Sequence, residues 1–283
     1  MAIRNFTEET LTAEVLRRIE GTPNARLKEV MTSLVKHLHA FVREVRPTQE
    51  EWFTGIQFLT DTGHWCDDKR QEYILMSDTL GVSMLVDFIN YGKTDKATES
   101  TVLGPFYVEG APEMGQGANI AKPGTPGEPC VVECSVSGLD GKPVAGALVD
   151  VWEGGGDGFY DVQKDEGVNL RARFRTGADG KLVFRCVKPT SYPVPHDGPV
   201  GKMLAATGRH PMRPGHLHFM IQAPGFDKLV THLFVRGDEF LDSDAVFGVK
   251  ESLIVDFRKN AKGEYALRYG FVLKPAARTA RAA

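Results

Sequence analysis

Two histidines two residues apart, His216 and His218, stand in the run Arg213-Pro-Gly-His-Leu-His-Phe219, and the alternating apolar residues that follow predict a β-strand entering a core. In a strand, residues i and i+2 point to the same face, so the two imidazoles stand side by side and offer a bidentate site for a transition metal. His37 and His39 have the same spacing, but in a segment of helical period two residues lie roughly 200° apart around the axis and share no ligand. The plainer alternative for His216 and His218 is a pair of satisfied histidines beside a core.

Two imidazoles leave a metal incompletely held. Zinc would want Cys, Asp or Glu, and ferrous iron a carboxylate close by; neither stands near the pair. Tyrosine does stand out. Tyr160 follows Gly158-Phe159 beyond a strand ending at Trp152, and Tyr192 opens Tyr-Pro-Val-Pro beyond a strand ending at Val187. Both are expected in loops leaving the sheet, where functional side chains are presented. Phenolate is a hard anionic donor that suits iron(III), Fe(3+), better than zinc or iron(II). Taken singly, either tyrosine is equally an amphipathic core or rim residue.

The elements that must position these groups come in two styles. From residue 8 to 91 the pattern is helical, clearest in the stripe Leu27, Val30, Met31, Leu34, Val35, Leu38, Phe41, Val42 and Val45. Thr22-Pro23-Asn24 starts that helix and Arg46-Pro47 closes it, while Thr48 and Glu51 form a capping box for the next. Residues 73–91 are apolar on more than one side, which predicts a helix buried between other elements. From about residue 101 short β-rich runs alternate with Gly and Pro turns: 131–136, 147–152, 182–187, 216–222 and 229–235. The expected fold is α+β: a helical N-terminal domain, 1–100, followed by an antiparallel β-sandwich catalytic domain, 101–283. The segment 109–129 is expected to be an irregular surface loop.

At 42% hydrophobic and 25% charged, the chain has the composition of a soluble globular protein, and its net charge of −3 gives no electrostatic case for nucleic acid. Arg278 and Arg281 sit among alanines in a short tail expected to fray. No apolar run has membrane-spanning length, and the first residues lack the apolar segment of a signal peptide. With four scattered cysteines, Cys66, Cys130, Cys134 and Cys186, a cytoplasmic protein is expected. Cys130 and Cys134 would lie about 13 Å apart along a strand, too far to share a metal.

The order Gly158-Phe-Tyr160, Tyr192-Pro-Val-Pro195, Asp197-Gly-Pro-Val-Gly201, Gly208-Arg-His-Pro211 and Arg213-Pro-Gly-His-Leu-His-Phe219 resembles the intradiol ring-cleavage dioxygenases, above all those acting on hydroxyquinol. The likeness extends to Ser77-Asp-Thr-Leu-Gly81, Leu103-Gly-Pro-Phe-Tyr107 and Asp242-Ser-Asp-Ala-Val-Phe-Gly-Val249, nearly the whole chain. Met212 stands where the family usually has an aromatic residue, and Gly215 where alanine is usual.

The resemblance implies Tyr160, Tyr192, His216 and His218 as ligands of iron(III), with Tyr192 leaving the metal to act as a base when a catechol-type substrate binds through both oxygens. It implies O2 as co-substrate, insertion of oxygen between two hydroxylated ring carbons and a muconate-type diacid as product. Arg213 would meet negative charge developing on the substrate, or simply brace its loop. His232 would support a ligand from behind, or only pack the sheet. Leu75, Asp78, Leu103, Gly104, Pro105, Phe106, Val194, Pro195 and Val246 occupy positions that line the pocket in similar enzymes. Asp78 could accept a hydrogen bond from a third hydroxyl, or be a capping aspartate. Similar enzymes are homodimers joined through N-terminal helices, sometimes with a bound lipid.

Two rival readings remain: cleavage of catechol or a substituted catechol, and a non-catalytic transthyretin-like β-sandwich binding module, which residues 137–149 also resemble. Gly154-Gly-Gly-Asp-Gly158 lacks the sequel of a phosphate loop and is expected to be a flexible lead-in to Tyr160. Asp238, Asp242 and Asp244 match no calcium-loop spacing.

Overall fold

The computed structural model describes residues 5–92, 96–164 and 167–276. Arg278 and Arg281 lie outside the described residues. Packing divides the chain into two compact units, Met1–Thr60 and Asp61–Ala283.

The first unit holds α1 (Leu11–Ile19), α2 (Ala25–Val45) and most of α3 (Gln49–His64). The Asn24 side chain accepts the Leu27 N–H at 2.9 Å, which starts α2, and Arg46 takes a left-handed conformation, φ 54°, where the helix stops before Pro47. The capping box of α3 is present: Glu51 Oε2 accepts the Thr48 N–H at 2.7 Å, and Thr48 Oγ1 accepts the Glu51 N–H at 3.2 Å. No residue of α2 is buried, and its apolar stripe is open, with Leu38 53% and Phe41 58% exposed.

In the second unit, the long helix expected over 73–91 is two helices, α4 (Glu72–Thr79) and α5 (Val82–Tyr91). Gly81, at φ 74°, makes the break, because it enters the left-handed region at no steric cost. Nor are the helices buried all round. Leu75, Asp78, Thr79, Met84 and Asp87 are covered, whereas Leu85, Phe88 and Ile89 are exposed.

The strands are β1 (Pro129–Gly138), β2 (Leu148–Trp152), β3 (Arg171–Arg175), β4 (Lys181–Val187) and β5 (Tyr192–Pro193). After a short α6 (Pro199–Ala206) come β6 (Met212–Arg213), β7 (His216–Gln222), β8 (Leu229–Val235), β9 (Ile254–Val255), β10 (Arg258–Lys259) and β11 (Tyr265–Leu273). Among the described residues they form one sheet in the order β10-β11-β1-β4, a second in the order β3-β2-β7-β8-β9, and the ladder β5-β6. Most ladders are antiparallel, as expected of a sandwich, but β1–β11 and β8–β9 are parallel. Both join strands far apart in the sequence, as a parallel pair requires.

The core between the two larger sheets includes Val132, Phe184 and Phe271 on one side and Val149, Val151, Phe219 and Ile221 on the other. Phe219 meets Phe271 at 4.8 Å between ring centroids. The four cysteines are free, and all but Cys66 are buried. Among the described residues no helix is long and apolar enough to cross a membrane.

Candidate metal centre

β7 runs through the interior of its sheet, between β2 and β8. Leu217, Phe219 and Ile221 enter the sandwich core, so alternation sends His216 and His218 to the opposite face. The register places Trp152 and His232 on either side of His218 and on the same face. His216 Nδ1 lies 2.7 Å from the carbonyl of Pro214, which makes Nδ1 the protonated nitrogen and turns the Nε2 lone pair into the site. His218 is held differently. Trp152 stacks on its ring at 4.7 Å and 16°, and Nδ1 has no hydrogen-bond partner. Gly104 fits against the same ring, for a Cβ there would lie 3.4 Å from His218 Cε1.

Tyr160 precedes a 3₁₀ turn, Asp161–Gln163, and its N–H donates to Gln163 Oε1 at 2.9 Å. Phe106 stacks on its ring at 4.5 Å. Beside it the buried pair Arg171 and Asp161 joins the tyrosine loop to β3, and Arg171 Nη1 donates to the Phe106 carbonyl at 3.0 Å. Tyr192 is fixed by the β5–β6 ladder, opposite Arg213. The glycine-rich segment expected as a flexible lead-in is closely packed: a Cβ on Gly156 would lie 2.6 Å from Gly127 Cα, and one on Gly158 3.0 Å from Tyr192 Cβ. Those glycines are there for close approach.

Four donor atoms converge. The Tyr160 hydroxyl lies 3.0 Å from that of Tyr192 and 2.8 Å from His218 Nε2, which in turn lies 3.1 Å from His216 Nε2. Donors on adjacent positions around an ion at about 2.1 Å are themselves about 3 Å apart, so the set could grip a single ion. Burial holds the His216 imidazole neutral, its pKa lowered to about 3, and lowers that of His218 as well. Both therefore have free lone pairs at neutral pH. Burial raises the pKa of both phenols against the opposing pull of the Arg213 guanidinium, so a cation bound among them would be needed to hold them as phenolates. A hard, highly charged ion fits this donor set.

The imidazole nitrogens of His216, His218 and His232 also lie within 4.8 Å of one another, and three histidines are a ligand set of catalytic zinc. That set would leave two buried phenol oxygens beside the ion unused. His232 faces His216 at 4.6 Å and His218 at 4.2 Å between ring centroids. Its contact with the two histidines is by ring packing.

The residues expected to line a pocket fall into neighbouring clusters. Leu75, Val194 and Val246 are buried together with Val102 and Val200, and Phe106 is buried with Tyr160 and Tyr192. Phe106, Val194 and Pro195 also border a cavity of about 420 Å³ with Arg70 and His196 at its wall. Gly104 is buried and Pro105 half-buried, whereas Leu103 is 40% exposed. Asp78 is buried, and its carboxyl feels the charges of Arg213 and Asp244.

Sequence reasoning missed Trp152, because cross-strand register is not written in a local pattern, and missed the Arg171–Asp161 pair for the same reason. It passed over Asp244 when calcium was set aside. A signal was present in the tendency of Asp to bond the backbone N–H two residues on, here that of Val246.

Gly215 shows how tightly these loops meet. A Cβ there would lie 2.9 Å from the Pro189 carbonyl oxygen and 2.9 Å from Thr190 C, backbone that leads directly to Tyr192. Gly215→Ala should therefore cost about 1–3 kcal/mol through overpacking. It should also displace Tyr192 enough to alter the near-ultraviolet circular dichroism of the buried tyrosines. Calorimetry and a spectrum check this; an unchanged melting temperature would show that the loop yields freely.

Two buried phenols meet two buried imidazoles beside one face of the five-stranded sheet, an arrangement that could hold a single metal ion. The family described as Dioxygenase matches residues 102–275, and that described as Catechol dioxygenase N terminus matches residues 24–98. The chain is 54% identical over 276 residues to 6-chlorohydroxyquinol 1,2-dioxygenase of Cupriavidus pinatubonensis, covering 96% of this chain and 99% of that one. It is 54% identical to hydroxyquinol 1,2-dioxygenase of Nocardioides simplex, covering 90% and 87%. The solved structure of hydroxyquinol 1,2-dioxygenase from Pseudomonas putida DLL-E4 superposes with a TM-score of 0.87 at 48% identity, covering 95% of this chain and 99% of that one. The chain belongs to the intradiol ring-cleavage dioxygenases. Membership implies non-haem iron, which the donor set fits. It also sets aside the non-catalytic binding module.

Proposed function

We propose that this protein cleaves hydroxyquinol, benzene-1,2,4-triol, between its adjacent hydroxylated carbons with O2, giving 3-hydroxy-cis,cis-muconate, the enol form of maleylacetate. The observation that carries this is the convergence of Tyr160, Tyr192, His216 and His218 at 2.8 to 3.1 Å. In this reading those four residues hold iron(III). When bound there, the ion would supply the positive charge that keeps the phenols ionised and the Lewis acidity that activates a bound diol toward O2.

The chain's own groups do the rest. Tyr192 takes a substrate proton onto its phenolate oxygen, so ligand and base are one group. Arg213 Nη1, 3.2 Å from His216 Nε2, meets the negative charge that develops on the substrate. Phe106, Val194 and Val246 exclude water from the ring and fix its plane. Leu75, Pro195 and the segment Leu103, Gly104 and Pro105 complete the wall, and His232 backs the two histidine ligands.

Preference for a triol rests on Asp78. Burial pushes its carboxyl up to about 6, which leaves it mainly ionised at pH 7 and able to accept a hydrogen bond from a third hydroxyl. Asp78→Ala should lower kcat/KM for hydroxyquinol about 10- to 100-fold more than for catechol, because only the triol loses a partner. Equal losses would remove Asp78 from substrate selection. That two relatives at 54% identity are named for hydroxyquinol or its chloro form supports the triol over catechol. The direct test is an assay of oxygen uptake and product with each substrate, together with the visible spectrum of purified protein. Tyrosinate on iron(III) gives a broad band and a red-brown colour, and an iron-replete colourless protein would overturn the reading.

The open stripe on α2 supports a homodimer joined through residues 1–100, with a lipid as a further occupant of the apolar face. The boundary proposed at residue 100 falls between the two family matches, 24–98 and 102–275, although α4 and α5 belong to the same compact unit as the sheets. Sedimentation returning a monomer would remove the dimer. Free, scattered cysteines support a cytoplasmic setting, which localisation of a tagged protein tests.

A further inference from the structure

Asp244 is 6% exposed, and both its carboxylate oxygens are occupied. Oδ1 accepts from Arg213 Nε at 2.9 Å and from the Val246 N–H at 3.3 Å, while Oδ2 accepts from Arg213 Nη2 at 3.2 Å and from the Gly248 N–H at 2.9 Å. A bidentate grip fixes both the place and the plane of a guanidinium. Here it takes the Nε–Nη2 edge and leaves Nη1 as the nitrogen that reaches His216.

The same carboxylate winds residues 244–248 around itself. That segment is tied back by the Ala245 N–H to the Met212 carbonyl at 3.0 Å and by the Thr101 hydroxyl to the Gly248 carbonyl at 3.0 Å. There is little slack, because a Cβ on Gly248 would lie 3.0 Å from Arg213 Nη2 and 3.1 Å from Thr101 Oγ1. Val246, carried by the segment, is buried with Leu75 and Val194. Stability alone does not call for an ion pair in such a place, since well-packed apolar groups commonly do as well.

We propose that Asp244 is a positioning residue for ring cleavage, acting through Arg213: it decides which guanidinium nitrogen faces the metal centre and, by the same carboxylate, where the Val246 wall of the pocket stands. The inference rests on the reading of Arg213 as the group that meets substrate charge. Asp244 itself touches neither substrate nor metal. It belongs to the reaction because, among the described residues, its carboxylate is what receives the Nε–Nη2 edge of Arg213 and so sets the plane of the guanidinium.

The test is a double-mutant cycle of Asp244→Asn and Arg213→Gln, with iron content, the visible band and circular dichroism followed alongside turnover. Asp244→Asn keeps the shape of the side chain but sets an amide N–H₂ against donors that need an acceptor. Turnover should fall about 10- to 100-fold at unchanged iron content, the size seen when a group that orients an active-site residue is lost. Anaerobic titration with catechol, read from the visible band, should show weaker binding as the Val246 wall shifts.

In the Arg213→Gln background, Asp244→Asn should cost turnover at saturating substrate little more, because that part of its effect passes through the missing guanidinium, while the weaker catechol binding from the shifted Val246 wall persists. The same loss in both backgrounds would mean that Asp244 serves only the fold, and would overturn the proposal. Arg213→Gln harmful with Asp244→Asn neutral overturns it too, leaving the role of Arg213 intact. Arg213→Gln neutral removes that role and the proposal together. Should Asp244→Asn not fold, Asp244→Glu, which keeps the charge but displaces it by one methylene, takes its place in the cycle.

Discussion

Tyr192→Phe and His218→Ala each abolish ring cleavage, with turnover falling by about 10³-fold or more while the β domain stays folded. The magnitude follows from the proposal that both are metal ligands, since a metal supplies several kcal/mol of charge stabilisation at the reacting oxygens. In Tyr192→Phe only one oxygen is lost. The ring keeps its edge contact with Tyr160 at 5.3 Å, and the Tyr160 hydroxyl loses the acceptor it donates to at 3.0 Å, a cost of about 1 kcal/mol. His218→Ala opens a larger gap, since that ring is stacked on Trp152, but its strand remains paired on both sides. Stopped assays, iron analysis and the visible band measure the two variants. Turnover at the original rate in either would strike that residue from the ligand set.

Asp161→Ala lowers stability by about 3–5 kcal/mol, because it leaves the buried Arg171 guanidinium without its ion-pair partner. The two side chains are 3% and 6% exposed, and Arg171 Nε lies 2.7 Å from Asp161 Oδ2. Asp161 also accepts the N–H groups of Val162 at 2.9 Å and Asn169 at 3.1 Å, so its loss frees the loop that carries Tyr160. For a unit of this size the melting temperature should fall by about 6–20 °C. Replacing both partners with apolar residues, Asp161→Leu and Arg171→Met, should restore most of the stability but not the activity. The Arg171 donation to the Phe106 carbonyl, which places the ring stacked on Tyr160, is lost with it. A single variant melting within about 2 °C of the parent would show that the pair does not hold this corner together.

Much of this architecture is visible in local patterns. The apolar period of α2, its Asn24 cap and the Thr48–Glu51 box are set within a few residues, and the structure places them as read. The runs 216–222 and 229–235 are the strands β7 and β8 to the residue, since continuous apolar character belongs to interior strands. β3, whose sequence is Arg-Ala-Arg-Phe-Arg, was not legible. Its arginines look like surface charge until Arg171 is seen paired with Asp161 in the interior. β11 was missed as well, with Arg268 and Gly270 interrupting its pattern, and its parallel place beside β1 follows from a partner far away in the chain. α6 likewise depends on a distant residue, for the buried carboxylate of Glu72 accepts the Val200 N–H at 3.1 Å near the helix start.

The sequence by itself determined the donor types, the pairing of His216 with His218 on one strand face, and the family resemblance carried by the order of motifs from Ser77 to Val249. All of these depend on residue identity and short spacing. Only the tertiary structure decided that a phenol from a loop and one from the short β5–β6 ladder, where a loop was expected, meet two imidazoles from a strand at hydrogen-bond distance, that Trp152 flanks His218, and that Asp244 grips Arg213. Those contacts join residues brought together by strand register and close packing, and neither is encoded in any one stretch of chain.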